Sequence, residues 1–473
     1  MGKAWVKRWS PTLKDGMGSL IPALEITPGA SIDELTWNLP PSKSHAIRWL
    51  ALAAQSEQEV VLNGLGNAGQ DIVSMRRCLG QMGVLITDLG SNGEALEVST
   101  NHDNQPAKGS VAWKIHGVGT NGLQPPISVL HAGNSGTALR ILMALCARFD
   151  VPVMLDGDAS LRSRNHDVMI TSLKKFGVKL SYGASVEGLP LLVEGPWSPP
   201  EEMELDVSTS SQPMTAWHLA APALPRGLKL LASGEGVSLR HSGLTKTLCE
   251  RTGAKRGLRN GELEPWVPTI TDASVHLPLD ASMLSFACLA AKVAGASVLL
   301  NGTPATEDAL GNEVLFEVAP SLGLLLTERS ITVEGKASPI EVNLQHANDL
   351  ITPLAALLAL AGGGSIVGAQ HAAFKETDRT HGTTALLAQF GLLSTFENGI
   401  LSVEGGQSIV QPQGLVRTYG DHRMQMTALV LAMGCKDTVL VEGLDLHEVA
   451  DPEAVQRWKS AGVSVENILH QPW

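Results

Sequence analysis

Aromatic side chains are scarce in this 473-residue chain, at 4% of positions, so its cores must be packed mainly with Ala, Leu, Val and Met. Cysteine is also rare: the five (Cys78, Cys146, Cys249, Cys288 and Cys435) are odd in number, widely spread and form no CxxC pair. That pattern argues against a disulfide framework or a zinc site and fits reduced thiols. There is no basic excess either. A net charge of −12 excludes broad nucleic-acid binding but allows a local cluster of cations around a small anion. No apolar run is long enough to span a bilayer. The longest uncharged stretch, LITPLAALLALAGGGSIVGAQ after Asp349, is interrupted by Pro353 and by Gly362, Gly363 and Gly364, and reads as a buried helix followed by a strand. The opening segment MGKAWVKRWSPTLKDGMGSL has no apolar core of signal-peptide length, and is Trp-rich and Ser-poor for a transit peptide. A soluble, cytoplasmic protein with no membrane or nucleic-acid partner is expected.

What the chain does have is repetition. A helix-like segment ending close to L-x-x-x-G and followed by a strand recurs as CLGQMGVLIT, SLKKFGVKLS, LCERTGAKRG, VAPSLGLLLT, LLAQFGLLST and RWKSAGVSVE. The glycines are Gly83, Gly177, Gly253, Gly323, Gly391 and Gly462. Each is placed to end a helix with a positive φ. Six copies predict six α/β units. Between them lie segments apolar nearly all round (SSQPMTAWHLAAPAL, DASMLSFACLAAKVAG, NDLITPLAALLALAGG and HRMQMTALVLAMG), which predict buried central helices with sheets and outer helices around them. Length alone suggests about three domains; three units per half make two.

Six polar clusters stand out, most of them opening a helix. The first, LPPSKSHAIRW, has Ser42 as a possible cap, with Ser44 and Arg48 on one helix face beside Lys43. AGNSGTALR places Gly133, Asn134, Ser135 and Gly136 before a helix carrying Arg140, where small residues let an anion approach the backbone N–H groups. SLRSRNHD carries Arg162 and Arg164, and STSSQPM carries Ser210, Ser211 and Gln212. FKETDRT packs Lys375, Glu376, Asp378 and Arg379 together, and YGDHRMQM has Asp421, His422 and Arg423 ahead of an apolar helix. Singly, each has a bland reading: a cap, a turn, a solvated charged face or a structural histidine. SKS is no Walker loop, because GxxxxGK is absent.

In order, the clusters match segments like PGSKS…R, GNAGTA.R, a Met-rich segment ending in ERP, SSQ, KETDR and DHRMAM. From about Ser31 to about Val465 the chain resembles the 3-phosphoshikimate 1-carboxyvinyltransferase family of enolpyruvyl transferases. The resemblance implies a two-domain inside-out α/β barrel built from six βαβαββ repeats. It further implies residues 1–30 as an N-terminal extension, 31–40 plus 279–473 as a first domain, 41–278 as a second, and a two-strand hinge near 40 and 278.

The implied activity moves the enolpyruvyl group of phosphoenolpyruvate to the 5-hydroxyl of shikimate 3-phosphate, releasing phosphate on the way to chorismate and aromatic amino acids. It needs no metal or organic cofactor, and a monomer is expected. Carried over by resemblance, Lys43, Ser44 and Arg48 hold the shikimate carboxylate and bridge to phosphoenolpyruvate, while Ser210, Ser211 and Ser238 contact shikimate 3-phosphate. Gln212 sits between the substrates. Gly136, Arg164, Arg379 and Arg423 line the phosphoenolpyruvate pocket, supported by Asn134 and Arg140. Asp349 is the acid–base group at the 5-hydroxyl, Glu376 the proton donor to C3 and Lys375 its neighbouring cation. The chain departs from the pattern at Val449, where the family has a lysine, at His371, where it has an Asn that contacts the shikimate phosphate, and at Pro41, Ser135, Ser163 and Asn165. The alternatives are a non-catalytic or altered-substrate paralogue that binds phosphorylated acids, and the related UDP-N-acetylglucosamine enolpyruvyl transferase. The latter's reactive Cys, expected near SLRSRNHD, is missing here.

Overall fold

The computed structural model describes residues 20–29, 32–96, 104–183, 187–255, 261–272 and 274–471. All six repeat glycines have a left-handed backbone, with φ between +70° and +107°, and each lies between an outer helix and a strand. A side chain there would be strained, which is why glycine recurs at this point of every unit.

The strands form six separate sheets of one plan. In one, Leu130–His131 runs parallel to Val153–Asp156, then Leu191–Glu194 pairs antiparallel with that strand, and Lys179–Tyr182 forms the far edge. Helix Gly136–Cys146 links the parallel pair, and helix Asp167–Lys175 precedes the edge strand. The unit containing helix Gln212–Ala220 shows three strands among the described residues.

Three units are split along the chain, two of them at the crossings between halves. Glu34–Trp37 pairs in parallel with Ser297–Leu300, and Ser274–His276 with Glu59–Asn63, so each unit takes its first strand from a distant segment. The chain crosses between halves just after each of these strands. The two crossings touch: Ser42 N–H donates to Pro278 O (2.8 Å) and Asp280 N–H to Pro40 O (2.8 Å).

The sixth sheet changes the expected N-terminal boundary. Residues 1–19, 30 and 31 of the segment lie outside the described residues, but Ile21–Thr27 is an inner strand, antiparallel to both Val439–Glu442 and Ser464–His470. The segment expected as an extension therefore supplies the fourth strand of the last unit.

Buried apolar residues form two clusters, one spanning 46–277, the other 24–39 together with 283–465. Helices Lys43–Ala54, Gly136–Cys146 and Gln212–Ala220 contact one another inside the first; Leu284–Ala294, Ile351–Leu360 and His422–Ala432 do so inside the second. Sheets and outer helices surround each trio, and no sheet closes into a barrel among the described residues. Small residues allow the helices to approach, and the few aromatics fill gaps, as where Phe176 stacks on Trp217 at 3.8 Å. Among the described residues no helix is long and apolar enough to cross a membrane.

Candidate active site

The central helices aim their N-termini at one cleft between the two clusters. Lys43 and Ser44, Gly136 and Thr137, Gln212, Asn348 and Asp349, and His422 and Arg423 all begin or immediately precede such helices, and all line the same cavity. Five positive helix ends and the cations among them make this an anion site. Ser42 stands at the N-cap position without capping: its hydroxyl pairs with His45 Nδ1 at 2.9 Å, leaving the first-turn amides unblocked.

Behind the wall, Arg379 is almost fully buried and donates to three carboxylates: Asp349 Oδ1 (2.8 Å), Glu376 Oε2 (2.6 Å) and Asp421 Oδ2 (2.7 Å). Arg423 approaches Asp349 Oδ2 at 3.3 Å and donates to Ser282 Oγ at 3.0 Å. From the other half, Arg164 reaches Glu376 Oε1 at 3.4 Å and donates to Asn134 Oδ1 at 2.7 Å. Arg140 donates to Gln212 Oε1 (2.7 Å) and to Gly136 O (3.1 Å), fixing the side chain of Gln212. Arg48 is held by Thr245, Thr215, His241 O and Ser44 O. Buried polar atoms without a hydrogen-bond partner include Asp71 Oδ1, Arg164 Nε, His241 Nδ1, Asn348 Nδ2, His371 Nε2, both ring nitrogens of His422 and Arg423 Nε, all on cavity-lining residues. Orphans are costly in an interior and mark where a polar ligand belongs.

The sequence pattern of the EPSP synthase (3-phosphoshikimate 1-carboxyvinyltransferase) family matches residues 104–458. The chain belongs to the EPSP synthase family. The 3-phosphoshikimate 1-carboxyvinyltransferase of Methanothermobacter thermautotrophicus is 27% identical over 437 residues, 91% of this chain and 96% of that protein. The enzyme of the same name from a Bradyrhizobium species is 28% identical over 453 residues, covering 90% and 95%. The fold matches an EPSP synthase structure from Acinetobacter baumannii with a TM-score of 0.70 at 20% identity, over 94% of this chain and all of that one. These neighbours carry the two-domain inside-out α/β architecture of this family of transferases.

Within this EPSP synthase family member, the cleft gathers Lys43, Ser44, Arg48, Gly136, Arg164, Ser210, Ser211, Gln212, Ser238, Asp349, His371, Lys375, Glu376 and Arg423. Asn134 and Arg379 stand one layer back, acting on Arg164 and on the carboxylates. Arg162, two residues before Arg164, points away and pairs with Asp156. Val449 is not among the lining residues; a Cβ on Gly69 would stand 2.6 Å from its carbonyl oxygen. Sequence reasoning missed Asp71, Thr137, Thr209, His241 and Asn348 as lining residues, and weighed His422 without placing it in the site. Asp71 sits on the first turn of helix Gln70–Gln81, where an acidic residue is so ordinary that it carries no functional signal.

Charge balance sets the protonation states. Burial would raise the Asp349 carboxyl, but Arg423, Lys375, Arg379 and Lys43 outweigh it and hold it well below the usual range. Burial also works upward on Glu376, where Arg379, Arg164, His422 and Lys375 prevail and keep it ionised. Lys43 loses solvation, yet Asp71, Asp349 and Glu376 lift it above the ordinary lysine value. Lys375 is lowered, first by burial. No cluster of His, Cys, Asp or Glu suited to a metal ion occurs among the described residues.

Proposed function

We propose that this chain joins shikimate 3-phosphate to the enolpyruvyl group of phosphoenolpyruvate and releases phosphate. The observation that carries the reading is the convergence in one cleft of all six polar segments, from both halves of a chain in this family. Two phosphorylated carboxylic acids need cations, helix N-termini and hydroxyls, together with two carboxylates for proton transfer, and the cleft supplies each.

In this scheme Ser210, Ser211, Ser238 and His371 face shikimate 3-phosphate, and Arg48 with Ser44 takes its carboxylate. Lys43, Gly136, Arg164 and Arg423 receive phosphoenolpyruvate, with Gln212 between the two substrates. Asp349, ionised and clamped by Arg379 and Arg423, takes the 5-hydroxyl proton as that oxygen attacks C2. Glu376 delivers a proton to C3 and later recovers one from it as phosphate leaves, and the hydroxyl proton held by Asp349 departs with the phosphate. Because Arg379 and Arg164 hold it ionised, Glu376 acquires its proton only when bound anions offset those cations. The half built from strands Ile21–Thr27 and Glu34–Trp37 with the chain after the second crossing, and the half between the crossings, act as bodies hinged where the crossings touch near 40 and 278. Phosphate release measured with both substrates, and with each omitted, tests the reading. Release that requires both is expected. Its absence from folded protein that still binds shikimate 3-phosphate would favour a non-catalytic or altered-substrate paralogue.

A further inference from the structure

Gly69 is a glycine that its own backbone does not require. It stands just before helix Gln70–Gln81 with φ −67° and ψ 161°, a conformation open to any residue, and Ser, Asp or Asn would cap the helix at least as well. What the position needs is the absence of a side chain. A Cβ there would stand 2.6 Å from Val449 O and 3.0 Å from Ala450 Cα, and both are backbone atoms that cannot swing aside. Gly69 lies in the half between the crossings, whereas the turn Leu446–Val449 belongs to the other half. Gln70 hydrogen-bonds Glu448 across the same seam. The seam adjoins the cleft: Asp71, two residues on, lines the cavity and pairs with Lys43 at 3.0 Å, while Glu376 and Arg423 line it from the other half. At Val449, where the family has a lysine, no side chain lines the cavity, so the turn meets this rim through its backbone instead.

We infer that Gly69 is a positioning residue for the transfer: its bare α-carbon lets the turn Leu446–Val449 seat on the start of helix Gln70–Gln81, and that seating completes closure of the halves around the substrates. The inference rests on the reading of the cleft as the transferase site and names a contact that its closure needs. Ordinary contact starts near 3.4 Å, so a methyl group at position 69 parts the two backbones by roughly 1 Å. Lys43 acts from one side of that seam, Glu376 and Arg423 from the other. A misplacement of that size between reacting groups lowers the rate by about 10²-fold.

Gly69→Ala and Gly69→Ser test the contact, the second because serine favours the helix start yet still obstructs the turn. Gly188→Ala is the control: open space surrounds that glycine, and the variant should behave as the parent chain. In the two-substrate release assay both Gly69 variants should lose about tenfold to 10²-fold in turnover, with a raised KM for phosphoenolpyruvate. Calorimetric binding of shikimate 3-phosphate alone should stay within about threefold of the parent, since most of its contacts lie on one half. Small-angle scattering should show the parent contracting with shikimate 3-phosphate and a non-transferable phosphonate in place of phosphoenolpyruvate, and both variants contracting less. Turnover or contraction unchanged in both variants overturns the proposal, as does a parent that fails to contract. Loss of shikimate 3-phosphate binding in both overturns it too, because Gly69 would then serve the fold. A parent that contracts but releases no phosphate counts against the transferase reading alone, and the contraction still judges Gly69.

Discussion

At the scale of single residues the decisive group is Glu376, because its surroundings contradict its assigned task until substrates arrive. Arg379 at 2.6 Å and Arg164 at 3.4 Å favour the carboxylate, and a proton donor must first be a carboxylic acid. Forming the complex of shikimate 3-phosphate with a non-transferable phosphonate in place of phosphoenolpyruvate should therefore take up close to one proton. Calorimetry in buffers of different protonation enthalpy reads this directly. Glu376→Gln should abolish the uptake and lower turnover by about 10²- to 10⁴-fold, the usual weight of a general acid, with binding of shikimate 3-phosphate changed only a few-fold. Undiminished uptake in that variant, or near-normal turnover, would take the proton away from Glu376. Residues of this kind were legible in the sequence because Lys375, Glu376 and Arg379 crowd into five positions before a helix. Asp71 and His241 were not: each is one polar residue among others at the start of an ordinary helix, and only the folded arrangement shows that their unpartnered atoms belong to cavity-lining residues.

At the scale of elements, the repeat was readable because glycine at a helix end is a backbone requirement that survives changes of side chain. The strand Ile21–Thr27 was not. It carries Pro22, and its buried run Ala23–Leu24 breaks the alternation expected of a half-buried strand. Its partners Val439–Glu442 and Ser464–His470 are more than 400 residues away. Yet it separates those two strands, so the last unit depends on it. Leu24 is 1% exposed, and Leu24→Ala should destabilise the protein by roughly 2–5 kcal/mol, as for other buried leucines. Removing residues 1–27 should do more, because both neighbouring strands lose their backbone partners. Thermal melts of the two variants beside the parent chain check this. An unchanged midpoint for the truncation would mean that the sheet closes without the strand.

At the scale of the whole molecule, the halves meet at the crossings, where Gly69 faces Val449, through Arg164 and Glu376 inside the cleft, and through two bridges at its rim. Arg240–Glu313 at 2.8 Å and His45–Asp308 at 3.2 Å bridge the rim, and each has one partner more than a third exposed, so they hold the cleft shut only weakly. Ligand-free protein should therefore sample wider arrangements, and small-angle scattering should show a smaller radius of gyration with both ligands bound. Identical curves would argue against hinged closure. A second global property follows from histidines scattered through both halves. Burial, the largest cause each time, pushes His45, His218, His371 and His447 down to about 4, and His166 and His241 to about 3. Each folded pKa lies below the unfolded value of about 6.5, so between these limits the unfolded chain binds more protons than the native one. Stability is then fully present above pH 6.5 and lost as pH falls, by up to about 1.4 kcal/mol per pH unit for each such histidine. Asp349 and Glu376 add acid sensitivity only lower, once the pH approaches the unfolded carboxylate values near 4. Denaturant titrations should thus show a decline that begins near pH 6.5, well before Asp349 and Glu376 titrate. His218, fully buried with Nε2 unpartnered, offers the control. His218→Gln should shallow the slope between pH 6 and 5 by about one proton, and an unaltered slope there would mean that the buried histidines do not set the acid limit.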